Sequence, residues 1–128
     1  MTVQPWLRVA AFAEAAAAEL ASRAKHYPGM ILAGEISRDL AAEDLAAWTA
    51  IAILFDRGVV EMGLAWSDLI EATARALVTR TAAWEAKRAD PYLADRLVYV
   101  QILHDQIARS RTFGTAIEPP MVQARRAA

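Results

Sequence analysis

The sequence predicts an all-α protein in which four helices pack as an antiparallel bundle. Three observations lead to this fold class. Apolar residues recur at spacings of three and four residues in four separate windows, as on one face of a helix. No window alternates apolar and polar residues for long enough to form a half-buried strand. Three of the windows span about 20 residues, or about 30 Å as helices, which is the length that a bundle needs.

The first predicted helix runs from about Pro5 to Tyr27. Pro5 suits a first helical position because its missing N–H costs nothing there. Pro28 removes a backbone donor and disfavours helical geometry at the residue before it. The sequence therefore predicts a kink or break at Pro28, a short extra turn near residues 28–33, and Gly34 as a left-handed C-cap.

The second helix is predicted over residues 38–57, with Ser37 or Asp39 as its N-cap and Gly58 just after its end. Leu40, Trp48 and Phe55 are among the residues that mark its inner face. Residues 58–66 are too apolar for a solvated loop, so they predict a packed connection to the third helix.

The third helix is predicted from Asp68 to about Ala89, with Ser67 as its N-cap. Asp90-Pro91 then predicts the start of the fourth helix, which runs to about Arg111. The periodic pattern ends beyond Phe113. We therefore expect a single helical domain over residues 1–113 and a flexible tail over residues 114–128.

The chain also shows a weak internal repeat. At an offset of 57 residues, Ala17, Leu20, Arg23 and Tyr27 align with Ala74, Leu77, Arg80 and Trp84. At an offset of 52 residues, the segment 42–45 aligns with the segment 94–97. Two helical hairpins of similar design would explain both offsets, although alanine-rich helices also align with one another by chance.

Two arginines each lie four residues before an aromatic side chain: Arg23 before Tyr27, and Arg80 before Trp84. This spacing places each guanidinium within reach of the ring, one helical turn away. The simpler interpretation is a surface arginine whose aliphatic stem covers a partly exposed ring. The alternative is a pair of arginines that bind a ligand.

The segment Glu19-Leu20-x-x-Arg23-x-x-x-Tyr27-Pro28, followed by Gly34-x-Ile36, resembles small uncharacterised helical-hairpin proteins of proteobacteria and their phages. The resemblance covers about residues 14–57, and it departs at Gly29-Met30, where a longer residue usually follows the proline. It implies a helical-hairpin elbow and a phage context. It carries over no functional residues.

Catalytic and metal-binding patterns are missing from the sequence. It contains no cysteine, no Glu-x-x-His pair, no Gly-x-Ser-x-Gly elbow and no glycine-rich phosphate loop. His104 falls on an apolar stripe, where a histidine is usually a hydrogen-bonded core residue. Glu43 and Asp44 lie among alanines, so we expect them on a solvated face. We predict no catalytic residue, no metal and no cofactor.

Charge composition gives little indication of a charged partner. The formal net charge is −1, which argues against a dedicated nucleic-acid or acidic-membrane binder. The longest uncharged apolar stretch, Leu45–Phe55, is far shorter than the roughly 20 residues that cross a membrane. At the N-terminus no basic residue precedes Arg8, whereas a secretory signal begins with a basic n-region. We therefore expect a cytoplasmic protein, and the arginine- and alanine-rich composition favours a bacterial source.

Four tryptophans are many for so short a helical chain, and a four-helix bundle buries two or three of them. The leading hypothesis is thus a non-enzymatic interaction or structural protein, self-associating as a homodimer or binding a protein partner. The alternatives are a small-molecule sensor or enzyme with a pocket between helices, and a nucleic-acid-associated protein. The residues expected to form a pocket or interface are Arg23, Tyr27, Trp48, Trp66, Arg80, Trp84, Tyr99 and His104.

Overall fold

The computed structural model describes residues 10–58 and 65–113, and it confirms the all-α fold class. In these residues the chain forms the helices α1 (Ala10–Leu32), α2 (Arg38–Arg57), α3 (Trp66–Ala86) and α4 (Pro91–Phe113). The pairs α1–α2 and α3–α4 pack closely as two helical hairpins. The hairpins meet less extensively, through contacts of α2 with α3 and of α1 with α4.

Three of the sequence predictions concern segments outside the described residues. These are the start of the first helix at Pro5, most of the packed connection over 58–66, and the tail over 114–128. Within the described part of the chain, no helix is long and apolar enough to cross a membrane.

Of the two alternatives predicted at Pro28, the break is wrong, because α1 continues through this residue to Leu32. Proline inside a helix lacks the N–H that would donate to the carbonyl four residues earlier, here that of Ala24. Both residues are exposed, so water can bind the freed carbonyl. The short extra turn near residues 28–33 is therefore the last turn of α1.

Gly34 ends α1 as predicted, with a left-handed φ of 75°. The N–H of Glu35 donates to the carbonyl of Met30 at 2.9 Å, and the N–H of Gly34 donates to that of Ile31 at 3.1 Å. This pair of bonds is the Schellman motif, which binds two of the carbonyls left free at a helix end. The turn that follows returns the chain against α1 as α2.

The bounds of α2 confirm the prediction at both ends. The Ser37 side chain accepts a hydrogen bond from the N–H of Leu40 at 3.1 Å, and Gly58 has a left-handed φ of 76°. Leu40 itself is 37% exposed, so its place on the predicted inner face is wrong. It lies in the first turn of α2, at the edge of the hairpin.

The N-cap predicted for α3 is wrong, and the one predicted for α4 is confirmed. α3 begins at Trp66, so Ser67 lies inside the helix and is not its N-cap. The carboxylate of Asp68 instead accepts from the N–H of Ala65 at 2.9 Å. At the start of α4, the Asp90 carboxylate accepts from the N–H of Tyr92 at 2.9 Å, as the Asp-Pro signal predicts.

The buried core draws most heavily on α2. The largest fully buried apolar side chains are Trp48, Ile51, Leu54 and Phe55 from α2, Leu69 from α3, and Val100, Leu103 and Ile107 from α4. Because α1 contributes mainly small side chains, its backbone can approach α2 closely.

Burial repeats along the chain at the two offsets found in the sequence. At the offset of 52, Trp48, Ile51 and Phe55 of α2 correspond to Val100, Leu103 and Ile107 of α4, all fully buried. At the offset of 57, Ala16 and Glu19 of α1 correspond to Thr73 and Ala76 of α3, all buried. The two hairpins therefore turn equivalent positions toward the core, as expected for units of similar design.

Candidate functional site

Two carboxylates are buried where the hairpins meet. Glu19 on α1 is 2% exposed, and Asp44 on α2 is 3% exposed. Helical periodicity puts them there: Glu19 follows buried Ala16 by three residues, and Asp44 precedes buried Trp48 by four. A charged side chain is seldom buried this deeply without ionic partners.

Glu19 accepts from arginines on three helices. Arg23 of α1 donates to Oε1 through Nη1 at 2.5 Å, and Arg80 of α3 donates to the same oxygen through Nη2 at 3.0 Å. Arg96 of α4 binds Oε2 through Nε at 2.7 Å, with Nη2 at 2.5 Å from the same oxygen. Glu19 therefore joins the first hairpin to both helices of the second.

The pKa of Glu19 reflects two opposed influences. Burial raises it, because a desolvated carboxylate is costly. The hydrogen bond from Arg23 and the positive charges of Arg80 and Arg23 lower it, and together they prevail. The pKa of Glu19 thus lies below its ordinary value of 4.5, and the side chain is ionised at neutral pH.

Asp44 binds three donors of its own. Arg23 donates to Oδ2 through Nε at 3.1 Å, and the Tyr27 hydroxyl donates to the same oxygen at 2.5 Å. Arg75 of α3 donates to Oδ1 through Nη2 at 2.8 Å. Burial and the hydrogen bond to Asp44 raise the pKa of Tyr27 to about 12, so Tyr27 remains a proton donor over the physiological range.

These seven side chains form one connected unit, which we name the arginine network: Glu19, Arg23, Tyr27, Asp44, Arg75, Arg80 and Arg96. Arg23 bridges the two carboxylates, and its guanidinium carbon lies 4.6 Å from the ring centroid of buried Trp48. Four arginines face two carboxylates, so the network carries two more positive than negative charges. Its members come from all four helices.

An open cleft of about 460 Å³ lies directly beside the arginine network. Network residues lining the cleft are Arg23, Tyr27, Asp44, Arg75 and Arg80. Apolar lining comes from Met30, Ile36, Leu40 and Ala76, and further polar lining from Ser22, His26, Glu35 and Thr79. The cleft thus combines fixed cationic donors with an apolar wall built from the turn between α1 and α2.

The predicted stacking of each arginine on the aromatic four residues later is wrong. Arg23 lies over Trp48 instead of Tyr27, and Arg80 reaches Glu19 instead of Trp84. The ring of Trp84 is covered by Arg88, at 4.9 Å from guanidinium carbon to centroid. A buried carboxylate offers an arginine a stronger interaction than a ring, which explains the difference.

The eight predicted site residues fall into two groups. Arg23, Tyr27 and Arg80 line the cleft, and Trp48 lies buried behind Arg23. The second group, which none of the described clefts includes, comprises Trp66, Trp84, Tyr99 and His104.

His104 lies in the half-buried region between α3 and α4. Its Nδ1 is 2.7 Å from the hydroxyl of Thr73, which is fully buried. This is the hydrogen-bonded packing role that its place on an apolar stripe predicts.

Four network members were missed by the sequence reasoning: Glu19, Asp44, Arg75 and Arg96. Asp44 was expected on a solvated face with Glu43, and that expectation is wrong, although Glu43 itself is exposed. A signal was present in the sequence: Arg96 and Asp44 occupy equivalent positions at the 52-residue offset, each four residues before a buried side chain. A charged residue in phase with the apolar face marks a candidate for buried pairing.

Comparisons of the chain with protein-family models, with curated proteins and with solved structures found no match. In the described part of the chain, no three histidine or acidic side chains converge as a metal site would require. Assignment of function therefore rests on the geometry of the arginine network and its cleft.

Proposed function

We propose that this chain is a non-enzymatic helical binding protein that holds a small molecule in the cleft beside the arginine network. The observation that carries the proposal is the cleft itself, whose volume of about 460 Å³ is in the range of small-molecule sites. Such sites pair an apolar lining with a few polar groups in fixed positions, and both are present here.

Preorganisation supports binding by the cleft. Arg23 and Arg80 are held by Glu19, and Arg75 is held by Asp44, before any ligand arrives. A donor that is already fixed loses little conformational entropy when it binds, and the ligand therefore retains more of its interaction energy. The network thus gives an alanine-rich bundle a rigid recognition surface.

The groups offered by the cleft suit recognition. The guanidinium groups only donate hydrogen bonds, and the Tyr27 hydroxyl already donates to Asp44. The Nδ1 atom of His26 lies 2.7 Å from the Ser22 carbonyl oxygen, which can only accept, so this nitrogen carries the proton. These roles describe a site that orients a ligand through donors and apolar contact.

Binding of an uncharged apolar dye, N-phenyl-1-naphthylamine, tests the proposal through its fluorescence. Thr79→Trp places a large ring on the cleft wall, and Val78→Trp is the matched control on a neighbouring side chain that is 73% exposed and outside the cleft. We expect saturable binding that Thr79→Trp weakens about tenfold and Val78→Trp leaves unchanged. Equal binding to all three proteins would overturn the proposal, and so would the absence of saturable binding both of this dye and of its sulfonated analogue, 1-anilinonaphthalene-8-sulfonate.

Self-association remains a second candidate function, and exposed apolar side chains favour it. Leu32 is 89% exposed, and Val78, Tyr92 and Val98 are also exposed. The tryptophans support it less, because Trp66 and Trp84 are half-buried near opposite ends of α3, about 27 Å apart along the helix. Light scattering coupled to size exclusion tests it: a concentration-independent monomer at tens of micromolar would exclude a stable homodimer.

The proposal includes a bacterial cytoplasmic setting and a phage context. The bacterial source is supported by the arginine- and alanine-rich composition, the cytoplasmic location by the shortness of the longest uncharged apolar stretch, and the phage context by the resemblance over residues 14–57.

A further inference from the structure

We propose that the cleft recognises an amphipathic monoanion: one carboxylate- or sulfonate-type group attached to an apolar body. This inference rests on the proposed function, because it names the ligand class of the same cleft. It is carried by the charge balance of the arginine network, by the free donors of Arg75 and by the apolar wall of the cleft.

The arginine network carries an excess of positive charge. The four arginines and two carboxylates of the network leave two positive charges uncompensated. Glu35 lines the cleft from an exposed position, so the network and the acidic side chains lining this cleft together leave one positive charge in excess. A ligand with a single negative charge would balance that excess.

Arg75 is the network member best placed to meet that charge. Its side chain is 41% exposed, whereas those of Arg23, Arg80 and Arg96 are 11–15% exposed. Arg75 uses only Nη2 for Asp44, and its Nε and Nη1 have no hydrogen-bond partner among the described residues. These N–H groups lie on different edges of the guanidinium, and each can donate a charge-assisted hydrogen bond to an oxygen of an acidic group.

Three other acidic side chains lie near Arg75. Glu43, Asp68 and Glu71 line a separate depression that also includes Arg75. Neither glutamate has an oxygen within 4.0 Å of a nitrogen of Arg75, whose ion pair is with Asp44. Among residues 10–58 and 65–113, no side chain therefore takes the free donors of Arg75.

The apolar wall indicates the rest of the ligand. Met30 from the end of α1, Ile36 from the turn and Leu40 from the start of α2 line the cleft. Leu40 keeps 37% of its surface exposed, and an apolar group placed there would bury surface that is now hydrated. A ligand with one acidic end and one apolar end satisfies both parts of the cleft.

The test compares two dyes that differ by one acidic group. 1-Anilinonaphthalene-8-sulfonate has the ring system of N-phenyl-1-naphthylamine and an added sulfonate. We expect the sulfonate dye to bind the wild-type protein about tenfold more tightly than the neutral dye does. Added salt should weaken the binding of the sulfonate dye and leave that of the neutral dye unchanged. Octanoate should displace the sulfonate dye at concentrations where 1-octanol does not.

Arg75→Gln removes the charge proposed to bind the acidic group. Arg109→Gln is the matched control, because Arg109 also pairs with one carboxylate, that of Asp105, at 2.7 Å on an exposed helix face. We expect Arg75→Gln to weaken binding of the sulfonate dye about tenfold and binding of the neutral dye less than twofold. Arg109→Gln should change the affinity of neither dye. The comparison of dyes and of salt in the wild-type protein does not depend on the stability of a variant.

The two proposals fail in different ways. If both dyes bind the wild-type protein equally, Thr79→Trp weakens both, and Arg75→Gln weakens neither selectively, the cleft binds small molecules but the monoanion inference is overturned. If Thr79→Trp affects neither dye, the cleft is not their binding site and both proposals are overturned.

Discussion

Glu19 is the residue on which the arginine network depends most, because its two oxygens accept from arginines on three helices. A lone carboxylate at 2% exposure would be strongly destabilising. The surrounding guanidinium groups offset this through their hydrogen bonds and positive charge, which hold the pKa of Glu19 below its ordinary value. The same logic makes the arginines dependent on Glu19, since without it they would face one another across a poorly hydrated space.

Removing the charge of Glu19 should therefore be costly. We predict that Glu19→Gln lowers the free energy of unfolding by about 3 kcal/mol at neutral pH, because it leaves buried arginines without their counter-charge. Glu14→Gln is the control, since Glu14 lies on the same helix and is exposed. Urea unfolding followed by circular dichroism measures both, and a loss for Glu19→Gln no larger than for Glu14→Gln would contradict the prediction.

The pH dependence of this loss follows from the pKa of Glu19. In the folded protein the pKa lies below the ordinary value of 4.5, so the unfolded chain binds the proton more readily. The contribution of Glu19 to stability is therefore present above about pH 4.5 and is lost as the pH falls through the lower, folded-state value. The stability gap between the wild-type protein and Glu19→Gln should narrow over that interval, whereas the gap for Glu14→Gln should stay small throughout.

At the scale of single helices, local chemistry predicted most helix ends but misjudged the end of α1 and the start of α3. Ser37 and Gly58 fix α2 through bonds and dihedral angles that depend on neighbouring residues alone, so its bounds could be predicted. Pro28 could not be judged in the same way. Whether a proline ends a helix depends on the other interactions that stabilise the turn around it. Here the carbonyls of Met30 and Ile31, in the last turn of α1, accept the hydrogen bonds of the cap at Gly34.

The position of Pro28 inside α1 leads to a test by substitution. We predict that Pro28→Ala raises the free energy of unfolding by about 1–2 kcal/mol, because alanine restores a helical N–H donor, while its more flexible unfolded chain offsets part of the gain. Pro91→Ala is the control, since Pro91 is the first residue of α4, where proline is favourable. Urea unfolding that shows no gain for Pro28→Ala over Pro91→Ala would contradict a continuous α1.

At the scale of the whole molecule, the arginine network is where the two hairpins recognise each other. Glu19 reaches Arg80 and Arg96 across the hairpin boundary, and Asp44 reaches Arg75. The phase of each of these residues on its own helix could be deduced from the sequence. Their partners could not, because pairing a carboxylate of one hairpin with an arginine of the other requires the packing of all four helices.

If the network joins the hairpins, energetic coupling across the boundary should exceed coupling within one exposed helix face. We predict that a double-mutant cycle of Glu19→Gln and Arg96→Gln gives an interaction energy of about 2 kcal/mol. Removing the charge of either partner leaves the other buried charge without that counter-charge. The matched cycle of Asp105→Asn and Arg109→Gln, an exposed pair one turn apart on α4, should give about 0.3–0.5 kcal/mol. Equal coupling in the two cycles would mean that apolar packing alone holds the hairpins together, with the buried charges contributing nothing specific to their docking.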